Sequence, residues 1–270
     1  MKRAMWHAVA AVLHVLWLTG VPGAAQTPGT AAAEMDAQAM AILTRMTSFL
    51  AQAQRLSVTA EIGFDVVQDS GQRIEFGETR QILIRRPDRA RIDITKRDGA
   101  TSGFIFGVQE IAVFNTREQV YATAAKSGTL DDAIDYFIQD LDMRFPLAEL
   151  FSSQLAETLP AKVRAASYVE PSRIAGVPCD HLAFRGDWAD IQFWIAQGDP
   201  PLPRRVVLTY KNAEGHPQFW AQFSDWNLAP DVPDARFVFT PPPGAAKIAF
   251  ASRPLVQTGE REEGEKGARP

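Results

Sequence analysis

Cys179 and His181 are the two residues whose side chains and spacing most readily suggest a catalytic site. The run Cys179-Asp180-His181 places a thiol two residues from an imidazole, and such a pair can generate a nucleophilic thiolate. On a strand, the thiol and the imidazole would point to one face and Asp180 to the other. A nucleophilic site also needs an orienting group and oxyanion donors, and no glycine-rich turn or helix start follows Cys179. We therefore interpret the pair as structural, and a thiol-dependent enzyme centred on Cys179 stays an alternative.

Metal and carboxylate chemistry have weaker support in the sequence. The cysteine and the histidine supply two ligands, and no second cluster has the spacing of a zinc site. Asp131 and Asp132 are typical of a helix start, where negative charge is favourable, and Asp187 and Asp190 flank a predicted hairpin turn. Such pairs can serve a glycosidase, but solvated acids are the more common interpretation. The sequence therefore predicts no catalytic residue, no metal and no cofactor.

Composition narrows the class of protein. The chain has 270 residues, of which 46% are hydrophobic and 22% are charged, a balance typical of a globular protein. Its single cysteine excludes a disulfide framework. The net charge of −4 argues against a general nucleic-acid binder, so we expect no nucleic-acid partner.

The beginning of the chain has the layout of a secretory signal peptide. Lys2 and Arg3 precede an apolar run over residues 4–18, and Gly23-Ala24-Ala25 offers small residues for cleavage. The apolar run is shorter than the ~20 residues that a membrane-spanning helix needs. We therefore predict export, cleavage near Ala25 and no transmembrane anchor. The lone cysteine is too far from the cleavage point to carry a lipoprotein anchor.

The predicted elements change period along the chain. Residues 35–53 carry apolar side chains at helical spacing. From Leu56 onward, even positions are apolar and odd positions are polar or small, which is typical of a strand with one apolar face. Further alternating runs joined by turn signals predict roughly eleven strands in an antiparallel meander, the last at Arg236–Phe239. Two helices interrupt them, one after Thr129 and one over about Leu147–Glu157.

A sheet face that is apolar over this length must be covered. The most economical cover is a strongly curved sheet whose concave side receives the helices. The predicted fold class is therefore α+β: a strongly curved antiparallel sheet, a half-barrel of roughly 11 strands, with helices packed on the concave face. This domain spans residues 34–252. We expect a signal peptide over 1–25 and a flexible leader over 26–33 before it, and a disordered tail over 253–270 after it.

Two sets of residues are candidates for binding. If the core leaves a cavity between sheet and helices, inward-facing apolar side chains would line it: Ile62, Phe64, Phe76, Ile82, Ile92, Phe104, Phe106, Phe184, Phe193 and Phe223. Arg85, Arg89 and Arg91 fall on outward positions, where they would dock an acidic partner or a lipid headgroup. A solvated strand face explains the arginines equally, and patterning does not separate an open cavity from a fully packed core.

The chain resembles a family of predicted periplasmic proteins. The resemblance rests on Gly176-Val-Pro-Cys-Asp-His-Leu-Ala-Phe-Arg185, Asp190-Ile-Gln-Phe-Trp-Ile195, Pro201-Leu-Pro-Arg-Arg205 and Phe237-Val-Phe-Thr-Pro-Pro-Pro-Gly-Ala245. That family is similar to the LolA, LolB and LppX group of lipoprotein carriers and lipid-binding proteins. The resemblance implies a periplasmic location and a half-barrel sheet closed by helices over a hydrophobic cavity. Members of the wider group also serve as envelope-stress sensors.

The leading hypothesis is a non-enzymatic periplasmic protein that binds a lipid acyl chain or a lipidated protein. Each methylene shielded from water contributes about 0.8 kcal/mol, so an apolar concave face has the means to hold a lipid in an aqueous compartment. A second hypothesis is a structural or stress-sensing module that docks other envelope proteins. The third is the thiol-dependent enzyme described above.

Overall fold

The structure, a computed structural model, describes residues 34–140 and 146–250. The predicted signal peptide, flexible leader and tail lie outside these residues. The description below is therefore of the domain alone, and the predicted domain boundaries stay predictions.

The first helix, α1, spans Ala37–Gln52, within the range that the helical spacing predicts. Asp36 caps it, because its side chain accepts hydrogen bonds from the backbone N–H groups of Gln38 at 2.8 Å and Ala39 at 3.0 Å. The buried positions recur at helical spacing: Ala39, Leu43, Met46, Thr47 and Leu50. One face of α1 is therefore committed to the core.

One sheet contains all the strands that the structure describes. Their bounds are β1 Arg55–Val67, β2 Arg73–Arg85, β3 Arg89–Lys96, β4 Thr101–Phe106, β5 Glu110–Asn115, β6 Val120–Ala125, β7 Ala165–Ile174, β8 Val177–Arg185, β9 Ala189–Ala196, β10 Pro203–Tyr210, β11 Gln218–Asn227 and β12 Ala246–Lys247. The order across the sheet is β12-β6-β5-β4-β3-β2-β1-β11-β10-β9-β8-β7. Every neighbouring pair is antiparallel except β12 with β6, which is parallel. The α+β class and the antiparallel meander agree with the sequence.

Four short helical segments form most of the connection from β6 to β7. Helix α2 spans Leu130–Asp135 behind a capping box, and a π-helical turn over Tyr136–Asp140 continues it. A 3-10 turn over Ala148–Phe151 and helix α3 over Leu155–Ala161 follow. The single helix predicted over Leu147–Glu157 is therefore wrong.

The break between the 3-10 turn and α3 has a local cause. The carboxylate of Asp131 accepts hydrogen bonds from the Ser152 hydroxyl at 2.7 Å and from the Ser153 backbone N–H at 2.9 Å. These bonds fix an extended residue at position 152, because side-chain acceptors compete with helical hydrogen bonding. The helix signal in the sequence is correct in type, but this contact with α2 divides it.

The predicted final strand at Arg236–Phe239 is also wrong. Residues Asp234–Phe237 form a 3-10 turn, and the last strand is β12. Pro233 precedes this turn, and the segment packs side chains onto the sheet instead of pairing with an edge. Val232 and Phe237 form a small buried cluster with Leu83 of β2. We call residues 231–239 the covering segment.

The register gives the sheet two distinct faces. Val58, Ile82, Ile92 and Phe104 lie directly opposite one another across β1 to β4. They belong with α1, α2 and α3 to one hydrophobic cluster. We call this the inner face. The opposite, outer face carries the covering segment over part of β2 to β5.

Candidate functional site

A small apolar cavity lies between the inner face of β2 to β4 and the helical connection from β6 to β7. Its volume is about 80 Å³. The strand side chains that line it are Arg80, Ile82, Ile84, Ala90, Ile92, Ile94 and Phe104, and the connection contributes Leu130, Ala133, Ile134, Phe137, Ile138, Pro146, Leu147, Ala148 and Phe151. Arg80 is the one titratable residue in this lining. The site therefore offers apolar contact and one cation, with no nucleophile among the described lining residues.

Aromatic packing closes one side of the cavity. The rings of Phe104 and Phe137 meet edge to face, with their centroids 5.1 Å apart, an arrangement that aromatic pairs favour. Phe137 is 3% exposed, and its ring also lies 6.2 Å from that of Phe250. The π-helical turn thus holds its aromatic side chain against the strand that forms the opposite wall.

The predicted lining residues separate into three groups. Ile82, Ile92 and Phe104 line the cavity. Five others are buried in the same hydrophobic cluster but are absent from the lining: Ile62, Phe106, Phe184, Phe193 and Phe223. Phe64 and Phe76 stack at 6.1 Å, and Phe76 is 48% exposed. Most of the predicted aromatic wall is therefore packed core.

Sequence reasoning missed the inward-facing charges of β2. Glu78 and Arg80 occupy even positions between the apolar Phe76 and Ile82, and their register partners on β1 are Ile62 and Ala60. The same period of two that identified the apolar residues therefore also placed this ion pair on the inner face. The helical side of the cavity carried a comparable signal, because its apolar residues recur at the spacing of one helix face: Leu130, Ala133, Ile134, Phe137 and Ile138.

The three arginines of the predicted docking patch lie on the outer face, as the alternation indicates. Arg85 donates to the backbone oxygen of Val232 at 2.8 Å and pairs with Asp234. Arg89 is only 7% exposed. Arg91 bonds to Asp93 of its own strand at 2.8 Å and to the backbone oxygen of residue 236 at 3.3 Å. The covering segment therefore already bonds to Arg85 and Arg91, whose side chains stay 30% and 28% exposed.

Cys179 and His181 share a face of β8 but form no mutual contact in the part of the chain that the structure describes. The thiol of Cys179 is fully buried and donates to the backbone oxygen of Val177 at 3.3 Å. This burial raises the pKa of the Cys179 thiol, opposite to what a nucleophilic cysteine needs. The ring of His181 stacks on Trp194 at 4.1 Å and lies 3.0 Å from the amide oxygen of Gln192.

The partly buried guanidinium of Arg86 joins the end of α1 to the 3-10 turn over Ala148–Phe151. Arg86 donates from Nε to the backbone oxygen of Ala53 at 3.0 Å, and from a terminal nitrogen to that of Phe151 at 2.6 Å and that of Leu50 at 3.5 Å. Desolvation lowers the pKa of Arg86, and the nearby carboxylate of Asp131 opposes that shift. One side chain thus holds the end of α1 and the 3-10 turn beside the cavity.

A second, wider groove of about 190 Å³ lies on the outer face. The covering segment supplies Phe237, Val238 and Phe239, and the sheet supplies Ile105, Ala112 and the turn from Gly107 to Glu110. The groove is open to solvent, and exposed backbone and polar side chains form much of its wall. The inner cavity is the better candidate for an apolar ligand, because its wall is almost wholly hydrocarbon.

Residues 34–140 and 146–250 contain neither a metal-binding cluster nor a membrane-spanning helix. No group of three or more His, Cys, Asp or Glu side chains in these ranges is placed to hold a metal ion. None of the helices in these ranges has the length and hydrophobicity to cross a membrane.

Comparisons with known proteins give one family and several distant structures. The model of a family described as "Predicted periplasmic protein (DUF2092)" matches residues 39–251. No curated protein matches the chain.

Three solved structures illustrate the distant likeness. LprF from Mycobacterium bovis is 12% identical with a TM-score of 0.46 and covers 79% of this chain and 100% of its own. The Mycobacterium tuberculosis lipoprotein LppX is 15% identical with a TM-score of 0.43 and covers 72% and 98%. A LolA superfamily protein from Nitrosomonas europaea is 13% identical with a TM-score of 0.37 and covers 74% and 97%.

Proposed function

Because this chain belongs to the DUF2092 family of predicted periplasmic proteins, we propose that it is a periplasmic, non-enzymatic binding protein for a hydrophobic ligand. The periplasmic location predicted from the sequence agrees with the family's description. The ligand is a lipid acyl chain, either free or attached to a lipidated protein. The observation that carries the proposal is the cavity between the inner face and the helical connection, whose lining is apolar except for Arg80.

The size of the cavity defines what binding requires. Its volume of about 80 Å³ is roughly half that of an engineered ~150 Å³ cavity that admits benzene. An acyl chain therefore needs the α2 segment and the 3-10 turn to move away from the sheet. Each methylene that then leaves water contributes about 0.8 kcal/mol, against which the cost of ordering the chain must be set.

The way in which the inner face is covered supports a curved sheet. A flat sheet of twelve strands at ~4.8 Å spacing would be about 50 Å wide, whereas one hydrophobic cluster joins inner-face residues from β1 to β5 and β7 to β11 with the helices. We infer that the sheet bends around α1 and its neighbours, as the half-barrel predicted from the sequence does. This bend gives the ligand a concave wall.

The two alternative functions have less support. The thiol-dependent enzyme would need a reactive Cys179, whose thiol is buried and whose pKa is raised by that burial. The docking module would need a free basic face, and the covering segment bonds to Arg85 and Arg91. The proposal includes a lipidated protein as a partner, because its attached acyl chain would bind in the same way as a free one.

Native mass spectrometry of the protein isolated from periplasm without detergent tests the proposal. We expect adducts whose masses fit lipids, and we expect organic extraction to remove them. The variant Ala133→Phe, which places a ring in the cavity, should carry fewer adducts. Ala112→Phe is the matched control, because Ala112 is buried on the outer face beside the other groove. A ligand-free wild type that also takes up no added fatty acid would overturn the proposal.

A further inference from the structure

The inner face carries an ion pair where the pattern calls for apolar residues. In β2, Glu78 and Arg80 continue the apolar series that Ile82 begins beside the cavity. Arg80 donates from Nε to Oε1 of Glu78 at 2.7 Å. The two side chains are only 14% and 11% exposed. The pair is therefore largely withdrawn from water.

Sheet stability does not explain a pair in this position. Desolvation of two charges offsets most of their attraction, and apolar residues of similar volume often replace such a pair without loss of stability. Arg80 lines the cavity and approaches the backbone oxygen of Pro146, on the opposite wall, at 3.5 Å. The guanidinium thus lies where the apolar cavity ends.

A second cation lies beside the pair on the same face. Lys96 of β3 is the register partner of Glu78 and is exposed. Beyond them, the same face continues to Phe76 and Ile74, which are 48% and 39% exposed. A ligand whose tail is in the cavity would therefore place its head beside Arg80 and Lys96.

We propose that Arg80 and Lys96 bind the anionic head group, a carboxylate or a phosphate, of a single-chain amphiphile whose tail occupies the cavity. This inference rests on the proposed function and names its ligand class. The planar guanidinium suits both anions, since its parallel N–H groups match their oxygen atoms. Glu78 holds Arg80 in the ligand-free protein and competes with the incoming anion.

Because Glu78 competes with the anionic head group for Arg80, loss of Glu78 and loss of Arg80 should change the affinity for anions in opposite directions. Displacement of a neutral fluorophore, N-phenylnaphthylamine, is measured with dodecanoate, dodecyl phosphate and dodecanol, which share one chain length, and with inorganic phosphate alone. Glu78→Gln should strengthen binding of both anionic amphiphiles and leave dodecanol unchanged. The double variant Glu78→Leu with Arg80→Met, which removes both members of the ion pair, should weaken binding of the anions about tenfold, the equivalent of one charge-assisted hydrogen bond.

Controls separate the inference from the proposed function. Arg164→Gln removes a guanidinium that pairs with Asp187 at 2.8 Å and is 55% exposed outside the cavity, and it should change no affinity. Equal binding of all three amphiphiles in every variant would overturn the role of Arg80 and leave the proposed function standing. If neither dodecanol nor the two anionic amphiphiles displaces the fluorophore, both the role of Arg80 and the proposed function are overturned. Binding of inorganic phosphate as tight as that of dodecyl phosphate would show a free-anion site and overturn the amphiphile assignment.

Discussion

Replacement of Arg86 by methionine should destabilise the protein strongly, because this one side chain bonds to two helical segments. Its guanidinium donates to the backbone oxygens of Ala53 at 3.0 Å and Phe151 at 2.6 Å, with a longer contact of 3.5 Å to Leu50. Methionine keeps much of the aliphatic volume but has no donor. The oxygens at the end of α1 would then lose their partner, which is costly where water is excluded.

The size of the effect follows from two good charge-assisted hydrogen bonds. Each contributes roughly 1.5–3 kcal/mol, and the partial exposure of the guanidinium places the total toward the lower end, at about 3 kcal/mol. For a domain of this size, 1 kcal/mol moves the melting temperature by roughly 2–4 °C. We therefore expect Tm to fall by roughly 6–12 °C.

Urea unfolding followed by circular dichroism measures the change in the free energy of unfolding. Arg86→Lys, which keeps the charge but not the fork of donors, should lie between the wild type and Arg86→Met. Arg45→Met is the matched control, since Arg45 makes a single exposed bond to the backbone oxygen of Gly198 at 3.2 Å. The control should change the free energy by less than about 0.5 kcal/mol. If Arg86→Met costs no more than this control, the role given to Arg86 is wrong.

Three further changes test other parts of the structure. Burial of Asp131 raises its pKa, but its hydrogen bonds to Ser152 and Ser153 outweigh burial and hold the pKa below the ordinary 3.8. The stability that ionised Asp131 contributes is therefore present above that pH and is lost as the pH falls further. Asp131→Asn should cost ~1 kcal/mol at neutral pH and progressively less in acid, and a cost independent of pH would contradict this. Gly63→Ala places a Cβ well inside van der Waals contact with the Trp220 ring, so it should cost ~1–3 kcal/mol and shift tryptophan fluorescence, and an unchanged spectrum would contradict the packing. Phe237→Ala, at a residue that is 3% exposed, should cost about 3 kcal/mol and speed proteolysis within residues 231–239, and unchanged cleavage would show that the covering segment does not depend on this ring.

Local patterns predicted the elements better than the contacts between them. Alternation from Leu56 onward and the helical spacing of α1 are properties of neighbouring residues, and the structure has both. The covering segment shows neither helical spacing nor strand alternation. It is held in place by the contact of Phe237 with Leu83 and by hydrogen bonds to Arg85. Contacts of this kind join positions about 150 residues apart along the chain, and no local pattern encodes them.

The candidate site shows the same division. Ile82, Ile92 and Phe104 followed from alternation, because a strand fixes which face a residue occupies. The position of the helices over the sheet decides which apolar residues pack in the core and which line a cavity. Contacts between distant parts of the chain, such as those of Arg86, set that position. The charges at Glu78 and Arg80 lay in the same pattern, and only the expectation of an unbroken apolar face hid them.

A crystal structure of the protein with a terminally brominated fatty acid tests the central claim most directly, because anomalous scattering locates the bromine atom. We expect the bromine in the inner cavity, in contact with Ile82, Phe104 and Phe137, and the carboxylate near Arg80, with the α2 segment displaced from the sheet. Bromine in the outer groove beside Phe237, or only on exposed surface, would contradict the account.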